Sequence, residues 1–559
     1  MMVKARCFVS NQERPGVQSR ASVPVQFVLS AHHPPNPEPV FRVLSSKPQP
    51  TSLGLLLQEF ATGTEGIVMN VVDKEVRTEA DGHSVQHYID EHPYWADGTA
   101  APAPQMTAMQ WRIWSLSVAG KFFEGLVVFM TGVAMPLIAK EFGLNAVQHG
   151  MVGSASLFGI LIGASALGSL SDRFGRKRVF IFEIGLFIAF LAMIVFTPNF
   201  SWLIVCLFGM GLALGCDYPT AHLVISESTP SRTRGGLVLS AFGFQAVGAL
   251  FGTVLGYIIL TLDPSVGAWR WMYGCAIIPA LAVFAGRFFI PESPHWLAVS
   301  GRERAAETEL QKLLRRNPLY PKTISINGRR EKHGERPHAT GYRGLFQKQN
   351  RRALILASVP WFLQDLGTYG IGIFTPTILA ATVGHQRQHA QNIADLVHND
   401  LIAAKGTALL DVLLLVGIVA AVLLADRIGR IRLQVFGFVG CAAGLFIAAQ
   451  AGAYSGATQT ALIFTGFMLF NFMTNLGPNA QTYLIAGEVF PTRIRGTGAG
   501  FAASFAKIGA CLTAFLFPVL LADIGTTALL YALVATSLVG ALVTFFFRIE
   551  TKGISLDGN

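Results

Sequence analysis

The sequence predicts an all-α membrane protein of twelve transmembrane helices arranged as two parallel six-helix repeats. Three observations carry that expectation: apolar runs of lipid-crossing length, basic residues confined to alternate loops, and charged loop motifs that recur once along the chain. Of the 559 residues, 52% are hydrophobic and only 14% charged, and the mean hydropathy is +0.46, a balance that suits a chain solvated by lipid.

A helix rising about 1.5 Å per residue needs about 20 apolar residues to cross a hydrocarbon layer ~30 Å thick. Runs of that length stand near 112–139, 148–171, 178–197, 202–225, 236–261 and 270–290, and again near 353–382, 404–425, 433–452, 459–486, 497–521 and 526–547. They divide the chain into a polar N-terminal extension (1–108), a first six-helix half (109–290), a polar central loop (291–352), a second half (353–548) and a short tail (549–559). The extension has Pro-containing stretches such as HHPPNPEP and no periodicity, so disorder is expected there. Met69 and Met106 precede the first apolar run, which leaves the translation start of the first 68 residues open. No basic region followed by an apolar core marks a cleavable signal.

The net charge of +10 is spread over short loops, which points to membrane topology rather than nucleic acid. Lys and Arg gather at 172–178, 231–235, 291–352, 426–432 and 492–496, and are sparse at 197–200, 451–459 and 522–527. The positive-inside rule places the rich loops, the central loop and both termini in the cytoplasm. Of the six cysteines, Cys206, Cys216, Cys275, Cys441 and Cys511 fall inside apolar runs and read as small hydrophobes. No nucleophile with a base, phosphate-binding glycine loop or metal constellation stands out, so neither an enzyme nor a metal or other cofactor is expected.

The repeat is read from three pairs of motifs. GSLSDRFGRKR (168–178) returns as VLLADRIGRIR (422–432), SESTPSRTRGG (226–236) as GEVFPTRIRGT (487–497), and PESPHWL (291–297) as IETKGISL (549–556). Asp172 and Asp426 stand 254 positions apart, Glu227 and Glu488 261, Glu292 and Glu550 258. One order at nearly one offset indicates a parallel duplication.

A charge at mid-bilayer costs about 2.5–3.5 kcal/mol on insertion scales, so ionisable residues in the apolar runs are candidate site residues. Lys121, Glu124, Asp217, Asp365 and Asp411 qualify. Trp361, Asp365 and Tyr369 recur every four residues and share one helix face, combining an aromatic wall, a titratable carboxylate and a hydroxyl. Asp217 and Tyr218 precede Pro219, which frees backbone carbonyls beside a cavity. Lys121 and Glu124, three apart, can pair on one face. Gln245, Asn475 and Asn479 offer neutral hydrogen bonds and read equally as interhelical glue. His222 reads as a packed histidine or as a proton relay beside Asp217. The segment 301–316 has the pattern of an amphipathic helix on an anionic membrane surface.

With these motifs the chain, from about residue 110 onward, resembles the major facilitator superfamily and its sugar-porter-like branch. GCDYPTAHLVISE (215–227), WFLQDLGTYGIGIFTP (361–376) and FNFMTNLGPNAQTYLIAGEVFPTRIRGTG (470–498) are most similar to metabolite:proton and phosphate:proton symporters. The paired glutamines of sugar porters are replaced by Leu363-Gln364-Asp365. The resemblance implies the major facilitator fold and a secondary active transporter, moving a small polar metabolite such as an organic acid or phosphate by alternating access with proton symport. It places Asp365, Trp361 and Tyr369 in the substrate pocket and assigns Glu124 to proton coupling. The second acidic residue of many phosphate symporters is missing at Val127 and Val128. It implies gating by Asp172, Arg176, Glu227 and Arg234, and by Asp426, Arg430, Glu488 and Arg495. Proximity suggests Glu227 with Arg234 and Glu488 with Arg495 as charge pairs that form when the basic side closes. His295 replaces the arginine usual in PESPHWL. The implied partners are a small solute, protons and the bilayer of the cell's inner or plasma membrane, with the chain monomeric. A sugar or polyol uniporter or exporter of the same fold, and a nutrient sensor that does not transport, remain as alternatives.

Overall fold

A computed structural model of the chain describes residues 83–91, 106–167, 170–315, 324–326, 341–383, 393–491 and 494–551, all within one compact unit, Asp81–Asn559. The membrane helices are α1 Ala108–Phe142, α2 Ala146–Ile162, α3 Arg176–Val195, α4 Phe200–Ser228, α5 Ser231–Leu262 and α6 Ala268–Arg287. The second set is α7 Arg351–Val383, α8 Ile393–Ile428, α9 Arg430–Gln450 and α10, broken into Gly456–Leu476 and Pro478–Glu488. The final helical stretch, Arg495–Phe546, contains a non-helical residue, Gly525, at φ 76° and ψ 169°. It is therefore two rods, α11 before Gly525 and α12 after it. Among the described residues ten helical spans are long and apolar enough to cross a membrane, the last being Thr497–Phe546, which spans the Gly525 break. α7 is 33 residues long, with Gln364, Asp365 and Thr368 buried along it. The described residues thus hold twelve long rods of an integral membrane protein.

Local sequence explains where the rods begin and end. Thr107 and Gln110 close a capping box at the start of α1, and Gly143 ends that helix in the left-handed region at φ 61°, which suits a residue without Cβ. Asn145 and Gln148 repeat the box for α2, and Asn199 caps α4. The halves meet through close backbone approaches. A Cβ on Gly132 of α1 would overlap the carbonyl oxygen of Ile373 in α7, and one on Gly150 of α2 that of Phe515 in α11. Such glycines let transmembrane helices pack where no side chain fits. Nearer the basic loops Tyr483 of α10 bridges the halves, stacking on Phe242 with ring centroids 4.5 Å apart and meeting His222 at 3.1 Å.

Two expectations are corrected. Within the extension expected to be disordered, residues 83–91 are folded: Val85–Asp90 is a helix capped by Ser84. Val85 and Ile89 are fully buried beside Leu297, Leu310 and Ile326, and Asp90 accepts hydrogen bonds from the Ser231 backbone and hydroxyl, both at 2.7 Å. The polar composition hid this because the segment is stabilised by docking rather than by a core of its own. Residues 1–82 and 92–105 lie outside the described residues. The amphipathic segment of the central loop also differs. Its helix, Glu303–Leu313, buries Ala306, Leu310 and Leu313 in the same cluster, against Ile113 and Val224. The apolar face therefore covers protein rather than lipid.

Removing the Ile89 side chain tests this docking. Large-to-small substitution of a buried aliphatic costs roughly 2 kcal/mol or more, so Ile89→Ala is expected to speed hydrogen exchange of amides 85–90 by about thirtyfold, with exchange in the membrane helices unchanged.

Candidate functional site

Within the bundle four helices bring together two lysines, two carboxylates, a tyrosine and a glutamine. α1 supplies Lys121 and Glu124, paired at 2.7 Å. α7 supplies Asp365 and Tyr369, α5 Gln245 and α11 Lys507. The Tyr369 hydroxyl is the hub: it donates to Glu124 Oε1 at 2.8 Å and accepts from Lys507 Nζ at 2.5 Å and Gln245 Nε2 at 3.0 Å. Lys507 also lies 3.3 Å from Glu124 and 3.5 Å from Asp365, with its ammonium 4.3 Å from the Tyr369 ring centroid. Glu124 and Asp365 are each 2% exposed and Lys507 5%. With both carboxylates ionised the group is neutral overall, the condition that lets charges persist away from water. α1 and α5 belong to the first half, α7 and α11 to the second, so the cluster is also a polar bond between the halves.

The expected lysine–glutamate pair thus forms, and it is joined to Asp365 by a residue the sequence reading passed over. Lys507 stands alone in an apolar run (FAASFAKIGACLTAF, 501–515), and that isolation was the available signal. Trp361, one turn from Asp365, is buried and packs edge-on to Tyr483, ring centroids 6.1 Å apart, flanking the polar hub rather than bonding to it.

Other predicted residues are engaged elsewhere. Asp217 receives Arg287 at 2.7 Å, and Arg287 also binds Glu183 at 3.0 Å and the carbonyl of Phe180 at 2.6 Å. The arginine is fully buried. This triad ties α3, α4 and α6 together inside the first half. Glu183 and Arg287 were also overlooked among the ionisable residues of the apolar runs. Asn475 donates to the Leu414 carbonyl at 2.8 Å and accepts from Asn479 at 2.6 Å, which makes Asn475 glue between α10 and α8. The Tyr218 side chain lies outside the described residues.

The basic loops carry two matching clasps. Arg176 grips Glu227 through two nitrogens, at 3.0 and 3.3 Å, and donates to the Ser171 carbonyl. Glu292 accepts from the Lys177 amide at 3.0 Å, and Ser293 donates to Glu227. In the repeat, Arg430 contacts Glu488 twice at 3.3 Å and donates to the Ala425 carbonyl. Glu550 accepts from the Arg430 and Ile431 amides at 3.0 and 3.3 Å, and Thr551 donates to Glu488 at 2.6 Å. Both clasps turn on a glycine of positive φ, Gly175 at 98° and Gly429 at 104°, where a Cβ would be strained and would press on Glu292 or Glu550. At the first clasp the partners differ from the expected pair. Glu227 takes Arg176, while Arg234 donates to Gln86 of the N-terminal segment at 2.7 Å. The side chains of Asp172, Asp426 and Arg495 lie outside the described residues.

A duplicated six-helix bundle with a buried polar cluster between its halves and clasped loops at one end defines a polytopic membrane transporter. The chain belongs to the family described as Sugar (and other) transporter, which matches residues 49–558. It is 30% identical over 450 residues to the inner membrane metabolite transport protein YgcS of Escherichia coli, covering 80% of this chain and 92% of that one. It is 30% identical over 409 residues to a D-xylose transporter of Levilactobacillus brevis, covering 71% and 84%. In fold it is similar to the xylose transporter XylE of E. coli in a partially occluded inward-open conformation, with a TM-score of 0.65, 21% identity, and 80% and 100% of the two chains covered.

The triad makes a direct prediction. Arg287→Met leaves Asp217 and Glu183 buried without their cation, a loss of about 3–5 kcal/mol, and is expected to lower the melting temperature sharply. Adding Asp217→Asn and Glu183→Gln to that variant restores neutrality and should recover most of the loss.

Proposed function

We propose that the protein is a proton-coupled symporter of a small polar metabolite bearing negative charge, an organic acid or phosphate, and that it binds solute at the Lys121–Glu124–Asp365–Tyr369–Lys507 cluster. The observation that carries the reading is the presence of two lysines among these groups. Two cations and two carboxylates are neutral together; when one carboxyl takes a proton, the cluster gains a positive charge that an anionic solute can satisfy. Proton and anion then enter as a neutral pair, and either alone leaves a net charge in low dielectric, which is unfavourable. Coupling follows from that charge balance. Lys507 and Tyr369 would hold the solute, Asp365 and Glu124 would exchange the proton, and Gln245 would orient Tyr369.

Alternating access adds the rest. The site bonds the halves at mid-bundle, so a solute that replaces those bonds alters the relative stability of the outward and inward states. The clasps within each half keep the loop ends rigid as the halves rock. The basic loops are assigned to the cytoplasmic side by their charge. A neutral pair carries no net charge across the membrane potential, so the pH gradient drives accumulation, by about 1.4 kcal/mol or tenfold per pH unit.

A second reading, transport of a neutral sugar, is favoured by the names of the xylose-transporting relatives. A thermal-shift panel of organic acids, phosphate and sugars on the purified chain separates the two, since a ligand of the native state raises stability as RT ln(1 + [L]/Kd). Stabilisation by acids or phosphate that Lys507→Ala reduces at least tenfold in apparent affinity is the expected result. Stabilisation by sugars alone would transfer the assignment to the second reading. In proteoliposomes Asp365→Asn is expected to abolish uptake driven by a pH gradient while keeping part of the solute exchange; full active uptake by that variant would remove Asp365 from coupling.

A further inference from the structure

Among the described residues α8 carries two buried carboxylates that neither the cluster nor the clasps employ. Asp400 is 1% exposed, and both its oxygens are buried without a hydrogen-bond partner. Asp411, 2% exposed, accepts a hydrogen bond at 3.1 Å from Thr253 of α5, across the junction of the halves. Eleven residues separate them, about three turns or 16 Å along the helix. They share one face, in line with Thr407, also buried, and with Ile418, which abuts Gly243 of α5. Asp400 lies toward the end of α8 remote from the basic loops.

The charges on the neighbouring elements are otherwise committed or distant. On α1 and α7, Lys121 and Glu124 bind one another, and Glu124 and Asp365 bind Lys507; Arg112, Lys140, Arg351 and Arg352 are exposed near the helix ends, and Glu141 is held by Arg270. On α5, Arg232 and Arg234 stand in the first turn next to the basic loops, and Asp263 is just past the far end. On α9, Arg430 and Arg432 are in the first turn, with Arg430 held by Glu488 of α10. On α8 itself His398, Lys405 and Arg427 are exposed, and Asp395 lies in the first turn. Among the described residues no cation lies within ion-pair distance of Asp400 or Asp411. An ionised carboxylate with both oxygens out of water and no cation is strongly disfavoured, whereas a protonated one can pack.

We propose that Asp411 and Asp400 form a second proton-binding site, separate from the solute cluster, which must be protonated for α5 and α8 to close against each other. When the ends of these helices remote from the basic loops separate, water reaches the carboxyls and they ionise. When that side shuts, each takes up a proton from solvent and packs as the neutral acid. Acid on that side therefore favours closure, so the gate itself responds to the proton gradient. Its role in transport rests on the symport reading above, but the response of the gate needs no solute.

The test uses the full chain in nanodiscs, with native cysteines replaced and spin labels at Leu262→Cys and His398→Cys, two exposed positions near the remote ends of α5 and α8. Distance distributions are recorded across pH without solute. The expected result is a closed population that grows as pH falls, by up to about tenfold in the closed-to-open ratio per pH unit for each proton taken up. Asp411→Asn, whose amide oxygen can still accept from Thr253, should shift the ratio toward closure and remove one proton from the slope; adding Asp400→Asn should flatten it. A wild-type ratio indifferent to pH, or a slope that the double variant keeps, overturns the proposal. If the double variant misfolds, Asp411→Asn alone decides by its slope. Failure of gradient-driven uptake with an intact gate response would instead count against the symport reading and leave this site standing.

Discussion

The Tyr369 hydroxyl is the contact on which the arrangement of the bundle turns. It is a single oxygen, yet it donates to Glu124 and accepts from Lys507 and Gln245, so one group from the second half arbitrates between charges of both. In low dielectric a charge persists only where its partners are held in place. Tyr369 can hold them because α7 is pinned against α1 at Gly132 and Ile373 and against α11 at Gly370, where a Cβ would press on Thr513. The apolar packing thus sets the positions and the polar cluster uses them. On the proposed function, a solute that competes for Tyr369 and Lys507 would act on the same bonds that join the halves.

The clasps show the opposite use of charge. Arg176 with Glu227 and Arg430 with Glu488 are largely buried, where the attraction of a pair is offset by the desolvation of both charges. Their value lies in geometry: arginine, backbone carbonyl, glutamate and a second glutamate on helix-end amides fix the turn between consecutive rods. The contacts described for each clasp join groups of one half only. The N-terminal segment lies over the first clasp's neighbour, with Gln86 on Arg234 and Asp90 on Ser231, and has no counterpart at the second among the described residues.

The twelve rods and their duplication were legible because hydropathy and loop charge are long-range averages that tolerate error in single residues. The three motif pairs were legible because each supplies a turn geometry that few residue types satisfy, as at Gly175 and Gly429. The centre was legible only in part. Glu124, Asp365 and Tyr369 announced themselves by charge or by four-residue spacing within one helix, but their meeting with Lys507 depends on how α11 crosses α1 and α7, which spacing within a helix does not encode. The exchange of partners at the loops has the same origin. Glu227 and Arg234 are near in sequence, while Arg176, far away in sequence, arrives first in space. Residues 83–91 were illegible because a segment that folds by docking needs few apolar side chains, and Val85 and Ile89 suffice.

The repeat also explains why the halves are not equivalent machines. At the offsets of the loop motifs, Glu183, Asp217 and Arg287 correspond to Gly437, Pro478 and Phe545. Where the first half holds α3, α4 and α6 together by a buried ionic triad, the second brings Gly437 of α9 against Gly477 and Pro478 of α10 and interrupts the α10 helix there. A triad resists bending because moving any member exposes an uncompensated charge. A glycine–proline break lacks that penalty, and the backbone hydrogen bonds it forgoes are already absent. The first half is thus cross-braced by charge where the second has a helix break, five residues before Tyr483. The two repeats thus meet the same positions with different chemistry, a buried ionic triad in one and a glycine–proline break in the other.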